Sequence, residues 1–218
     1  MGVKFGVAGL SHFHAEMILK ETTGRPDMEL VALSGCDADL RDKLAGKFGI
    51  RAYEDPFLMC EAEGLEAVAV VENPDSRSEV ASELLGMGVD VLLDKPAALD
   101  FESLEKLEEA AGKGPGRLFP FFTVRYERPV AKALWLIRSG TIGKVSSFTS
   151  LRPHKLLERI RPDWFWRIRG GVIVDLAVHD LDIYRAVCGF PPDMGFASFG
   201  SQGDFSGLGK AGFVDSAQ

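Results

Sequence analysis

The chain has 218 residues of ordinary globular composition, enough for one large or two small domains with a substantial core. A formal net charge of −7 argues against nucleic acid or an anionic membrane as the main partner. The three cysteines, Cys36, Cys60 and Cys188, are odd in number and lack metal-ligand spacing, which excludes a disulfide scaffold and points to a reducing, cytoplasmic compartment with no bound metal.

Val3-Lys-Phe-Gly-Val-Ala8 is a short apolar strand that enters a glycine turn with no leader peptide before it. No run of about 18 apolar residues follows anywhere, so no membrane span is expected. Gly9-Leu-Ser11-His12-Phe-His14 then opens a helix to about Glu21. Strand, tight turn and helix form the start of a dinucleotide-binding unit, because free amides and the dipole at a helix N-terminus can hold a pyrophosphate. Gly9 fills the first glycine position of that fingerprint, while Ser11 and His14 stand at the second and third. The next strand, Glu29–Ser34, ends near Asp37. An acid there, about 20–30 residues past the glycine turn, is where the adenosine ribose hydroxyls are gripped, and a carboxylate repels a 2′-phosphate. Asp37 therefore favours NAD over NADP, and it is equally placed to cap the following helix, Leu40 to Phe48.

Glu66–Val71 is a strand buried on both faces, and the helix Glu79–Met87 follows the turn at Asn73-Pro74. Val89–Leu93 is another buried strand, ending in Asp94-Lys95-Pro96. Asp100 caps a helix from Phe101 to Ala111 whose Phe101, Leu104 and Leu107 are expected to face inward. Arg117–Thr123 is the next strand, with Pro120 limiting its hydrogen bonding. Strands alternating with helices give a parallel doubly wound sheet whose ligands lie at the carboxyl ends. Gly9, Ser11, His12, Asp37, Asn73, Pro74 and Lys95 all fall just past strand ends, so this topology gathers them at one edge as cofactor-binding candidates. Most lysines are solvated surface residues. Lys95, pinned by Pro96 at the end of a buried strand, sits instead where a nicotinamide would lie.

A helix Pro129–Ser139, a turn Gly140–Gly143 and a strand Lys144–Thr149 of a second sheet come next. The basic, aromatic stretch Arg152–Arg169 reads as a loop over a pocket or as simple packing. Gly170-Gly171 then leads into a largely apolar helix ending at Gly189. At about 100° per residue, Asp175, His179 and Asp182 share one face of it. Buried carboxylates and an imidazole are costly unless paired, either with the protein's own polar groups or with a ligand. An imidazole is the usual proton acceptor near neutral pH. Met194–Phe199 is a further strand, and the tail is rich in Gly and Ser.

On these residues the chain resembles the Gfo/Idh/MocA family, the glucose–fructose oxidoreductase and inositol dehydrogenase group, over about 1–200. Asn73-Pro74-Asp75 is similar to the family's Thr-Pro-Asn turn, and Asp94-Lys95-Pro96 to its Glu-Lys-Pro motif with Asp for Glu. Gly170-Gly171 followed by Asp175-Leu-Ala177-Val-His179-Asp-Leu-Asp182 resembles its Gly-Gly, Asp-x-Gly-x-His-x-x-Asp signature, with Ala177 for Gly.

The resemblance implies an α/β fold: an NAD(P)-binding Rossmann domain over 1–123, then a shortened α+β substrate and oligomerisation domain over 124–218. It implies an NAD(H)-dependent dehydrogenase of sugar, polyol or related hydroxy compounds, working as a homo-oligomer, dimer or tetramer. Carried over by position, the catalytic group is Lys95, Asp175 and His179. His179 takes the hydroxyl proton, Lys95 hydrogen-bonds the substrate oxygen, and Asp175 binds substrate or tunes the imidazole. Ser78 departs from the histidine often found after the Thr-Pro-Asn turn, and family chains generally run past 300 residues. The short chain and the glycine loop altered at Ser11 and His14 keep open a non-catalytic NAD(H)- or sugar-sensing protein on the same scaffold, and behind it stands NAD-dependent cleavage of a glycosidic bond without net oxidation.

Overall fold

The computed structural model describes residues 2–151, 171, 173–189, 199–200 and 216–217. The chain divides into two compact units, Met1–Phe121 and Phe122–Gln218. In the first, β1 (Val3–Ala8), α1 (His14–Thr22), β2 (Met28–Ser34), α2 (Ala38–Phe48), β3 (Arg51–Tyr53), α3 (Pro56–Glu63), β4 (Ala67–Val70), α4 (Pro74–Gly86), β5 (Asp90–Asp94), α5 (Phe101–Lys113) and β6 (Leu118–Phe121) follow one another. All strand pairings are parallel, in the order β3-β2-β1-β4-β5-β6. Parallel neighbours need long crossovers, which the helices supply. The strand order reverses between β1 and β4, and there a doubly wound sheet opens a ligand crevice beyond its carboxyl ends.

The period-two alternation of strand side chains divides the core between the two sheet faces. Val68 and Val70 join Met59, Leu84, Leu85 and Leu107 in one cluster. Ala69 and Val71 join Ile18, Leu19 and Leu44 in the other. Helices α3, α4 and α5 thus cover one face, and α1 and α2 the other. Short polar side chains fix the helix starts. Asp37 accepts from the Leu40 amide at 3.0 Å, Asp55 from Phe57 and Leu58, and Asp100 from Ser103. Each such cap is worth about 1 kcal/mol.

Several sequence expectations are corrected. Helix α4 starts at Pro74, not Glu79, because proline with no N–H to satisfy is suited to the first helical turn. The units β3 and α3 had not been anticipated. On α5 only Leu107 is buried, while Phe101 is 84 % and Leu104 36 % exposed. Phe101 sits in the first turn, where the chain has only begun to reach the sheet. Pro120 does lie in a strand, but in β6 at the sheet edge, where a missing donor is tolerated.

The second unit holds a 3₁₀ turn (Thr123–Tyr126), α6 (Arg128–Arg138), a π-helical segment (Ile173–Ala177) running directly into α7 (Val178–Cys188), and a short antiparallel pair, β7 (Phe199–Gly200) with β8 (Ser216–Ala217). On α6 Leu134 is buried, with Val130 and Ile137 half-buried on the same stripe. Lys144–Thr149 is not a strand: among the described residues nothing pairs with it. Its two half-buried side chains, Val145 and Phe148, are three apart and would face opposite sides of an extended chain. The stretch 152–170 and most of the expected strand at 194–199 lie outside the described residues.

Candidate active site

The carboxyl edge of the first unit is built around Gly9. Its φ is +87°, and a Cβ there would stand 2.5 Å from the Glu72 nitrogen and 2.6 Å from its Cα. Only glycine allows both the left-handed backbone and this approach of the chain leaving β1 to the chain leaving β4. The Gly9 amide donates to the Ser34 carbonyl at 3.0 Å, and the Ser11 hydroxyl to the Val71 carbonyl at 2.8 Å. The turn is thereby tied to the strands on both sides. Helix α1 follows, its N-cap Phe13 making no side-chain cap, while the His14 amide donates to His12 Nδ1 at 3.4 Å. Asp37, exposed at the end of β2, caps α2 through Oδ1. Exposed Asn73 and buried Pro74 begin α4 at the end of β4. Lys95 directly follows β5 and is only 7 % exposed. The fold brings all of these to one edge of the sheet.

Beside Lys95 lies a polar network that the sequence had not disclosed. Asp94 Oδ1 accepts from the Lys95 backbone N–H and from His14 Nδ1, both at 2.8 Å. Asp94 Oδ2 is 3.6 Å from His12 Nδ1 and 3.6 Å from Arg77 Nη2. Arg77 is completely buried. Its Nη1 donates to the Pro96 carbonyl at 2.9 Å, while Nε and Nη2 reach the Glu72 carbonyl at 3.0 and 2.7 Å. Burial alone would raise the Asp94 carboxyl. The His14 hydrogen bond and the Arg77 charge overcome burial and hold the carboxyl below its ordinary value, so it is ionised. Burial, followed by the neighbouring His14, pushes the His12 imidazole down to about 3, and Lys95 and Arg77 add to this against the pull of Asp94. Nothing in the sequence distinguishes Arg77 from a surface arginine of α4. In the sequence His14 stands out only as a residue at a glycine position.

In the second unit the π segment carries Asp175 and runs into α7, which carries His179 and Asp182. All three are buried, at 1 %, 6 % and 7 % exposure. A π turn is rare and often marks a functional position. Here it lies at Asp175, so the regular 100° spacing expected for this line does not apply to its first member. Phe122 stands edge-on to the His179 ring, with centroids 6.4 Å apart. Asp182 has a protein partner. Both of its oxygens meet the Arg125 guanidinium, the Nε contact being 2.7 Å, and this hydrogen-bonded carboxylate raises the Arg125 pKa. Arg125 thus anchors Asp182. Leu181, expected on the apolar surface of a buried helix, is 55 % exposed.

A parallel sheet of this strand order, with a glycine turn at its first carboxyl end, defines a dinucleotide-binding Rossmann unit. The chain belongs to the GFO/IDH/MocA family. Residues 3–122 match the model described as an oxidoreductase family with an NAD-binding Rossmann fold, and 130–217 match the GFO/IDH/MocA C-terminal domain. The myo-inositol 2-dehydrogenase of Thermotoga maritima is 30 % identical over 224 residues, which span 99 % of this chain and 63 % of that protein. The NAD(+)-dependent scyllo-inositol 2-dehydrogenase of Bacillus subtilis is 24 % identical over 84 % of this chain and 52 % of its own length. Among solved structures, a probable dehydrogenase from Thermotoga maritima superposes with a TM-score of 0.82 at 25 % identity, over 99 % of this chain and 63 % of its own. An oxidoreductase structure from Erwinia carotovora gives 0.86 at 22 % identity, over 99 % and 65 %. The chain thus spans less than two thirds of the length of each of these relatives. None of its described helices is long and apolar enough to cross a membrane.

Proposed function

We propose that this chain is an NAD(H)-dependent oxidoreductase that moves a hydride between the nicotinamide and a sugar, polyol or related hydroxy compound, with cyclic polyols the first class to try. One observation carries the reading: Lys95, a buried lysine, directly follows β5 at the cofactor edge of an NAD-binding sheet. The glycine turn fits such a cofactor, since Gly9, at φ +87°, turns the chain leaving β1 toward the N-terminus of α1. Gly9, Ser11 and His12 would hold the pyrophosphate. Asp37 would grip the ribose with Oδ2 while Oδ1 caps α2. Asn73 and Pro74 would line the same edge.

The bound cofactor supplies the hydride acceptor. The chain's own residues do the rest: Lys95 hydrogen-bonds the substrate oxygen and offsets its developing charge, and His179 removes the hydroxyl proton. Asp175 binds substrate or orients the imidazole. A boundary near 123 separates the cofactor-binding from the substrate-binding part. The protein is cytoplasmic and self-associates. Three free cysteines support the first statement, and the exposed Trp135, Ile142 and Leu181 of the second unit the other.

Calorimetric titration with NADH and NADPH, followed by a polyol turnover screen, tests this, and light scattering on the same sample reads the mass. Saturable binding with preference for NADH is expected. Lys95→Ala should abolish measurable turnover and leave NADH affinity within about threefold, since the electrostatic contribution of such a group is about a hundredfold or more in kcat. Binding with no turnover over a broad panel would favour the sensing protein instead.

A further inference from the structure

We propose that His14 and Asp94 form a matched pair whose task is to position Lys95, and that His14 is thereby a positioning residue for the reaction. The inference rests on the reading that Lys95 acts on the substrate. Asp94 Oδ1 is shared. It holds the Lys95 amide on one side and the His14 imidazole on the other, each at 2.8 Å, in a site where His14, Asp94 and Lys95 are all buried. His14 is the first residue of α1, so the contact links the helix that follows the glycine turn to the turn that carries the lysine, 80 residues on. Arg77 closes the other side by donating to the Pro96 carbonyl. Residues 94–96 are thus held from α1 and from α4 at once.

Two departures from the motifs now have one explanation. The third glycine position is occupied by a large imidazole, and the acid before Lys-Pro is one methylene shorter than glutamate. The larger group fills the space that the shorter one leaves, and its Nδ1–H supplies the hydrogen bond a buried carboxylate needs.

His12, His14 and Asp94 also place ligand atoms within 4.8 Å of one another, as a divalent cation would require. The positive charges of Arg77, 3.6 Å from Asp94 Oδ2, and of Lys95 beside it oppose a further cation, so the geometry serves the lysine turn rather than a metal.

The experiment reads Lys95 itself, by its rate of labelling with an amine-reactive reagent followed by peptide mass spectrometry on the full chain. His14→Phe keeps the ring volume and removes the donor. It should raise Lys95 labelling about tenfold, the size expected for losing one hydrogen bond to a charged acceptor. Other lysines and NADH affinity should stay near wild type, and kcat should fall with KM little changed. His14→Asn, whose amide can donate from about the position of Nδ1, should restore wild-type labelling. Should the phenylalanine prevent folding, His14→Ala gives the loss and His14→Ala with Asp94→Glu the recovery. A folded His14→Phe protein that labels at the wild-type rate overturns the proposal. So does a longer carboxylate that fails to rescue, or Zn²⁺ that raises the melting temperature of the wild type but not of Asp94→Asn. Altered labelling in a protein without turnover would remove the oxidoreductase reading and leave the pair standing.

Discussion

His12 lies just before α1, with its ring 4.1 Å from that of His14 and edge-on to it, and its side chain only 7 % exposed. Its imidazole is pushed down to about 3 by burial first and then by His14, with Lys95 and Arg77 adding to this, so it is neutral in the folded protein at any ordinary pH. In the unfolded chain it takes a proton near pH 6.5. Between about 6.5 and 3 the unfolded state therefore binds more protons than the folded one. Stability is fully present above this window and is lost as pH falls through it. From pH 6.5 to 5 the loss attributable to this one group is about 2 kcal/mol at most. Urea unfolding at pH 7.5, 6 and 5 checks it. The wild type should lose midpoint steadily, and His12→Gln, which has nothing to titrate, should lose measurably less. Equal slopes in the two proteins would show that the environment of His12 does not exclude the charged form. The same burial has a chemical consequence: a pyrophosphate placed at this turn would meet His12 as a neutral imidazole, not as a cation.

The junction of the π segment with α7 depends on an ion pair that only the fold reveals. Asp182 is 95 % shielded at its side chain, while the Arg125 guanidinium keeps 31 % exposure. Removing the arginine leaves a carboxylate buried against an apolar helix. Arg125→Met should cost about 2–3 kcal/mol, below the range for a fully buried pair because water still screens the guanidinium. Arg125→Met with Asp182→Leu should recover most of it, as a chemical melt of the two variants would show. The elements themselves were legible to very different degrees. The strand β1 follows directly from Val3–Ala8, and β4 and β5 from their unbroken apolar runs, because parallel strands buried on both faces need no polar alternation. The three residues of β3 are too few to show a period. The helix α3 was signalled by Asp55-Pro56 at its start and Gly64, left-handed at φ +59°, at its end. Those caps were readable. Phe101 shows the limit of periodicity, which finds an apolar face without knowing where the sheet ends. Lys95, Asp175 and His179 stood out as ionisable groups in apolar surroundings. Arg77 and the pairing of His14 with Asp94 did not, since their partners lie 19 and 80 residues away and only the crossover topology brings them close.

Among the described residues, buried apolar side chains are concentrated in the first unit, and their placement predicts which of these elements open first. Of the 26 buried hydrophobic residues among those described, all but Val124 and Leu134 belong to the first unit. There they form two clusters astride a six-stranded sheet. Burial at about 25 cal/mol per Å² is the main favourable term in folding, and amides exchange only when the hydrogen bonds that protect them open. The central strands β1, β4 and β5 should therefore open only with global unfolding. Helix α6, with a single buried stripe and an exposed Trp135, should open locally at lower cost. Hydrogen exchange read by mass spectrometry is expected to give peptides from β1, β4 and β5 the slowest rates and those from α6 rates faster by about a hundredfold or more, a gap of roughly 3 kcal/mol in opening free energy. Added NADH should slow the turn at Gly9 and the start of α1 first. It stabilises only the states that bind it, by an amount set by its concentration over its dissociation constant. Uniform protection across both units would mean that the second is held as firmly as the sheet. Slowing confined to α6 would place the ligand away from the glycine turn and remove the basis for the cofactor edge.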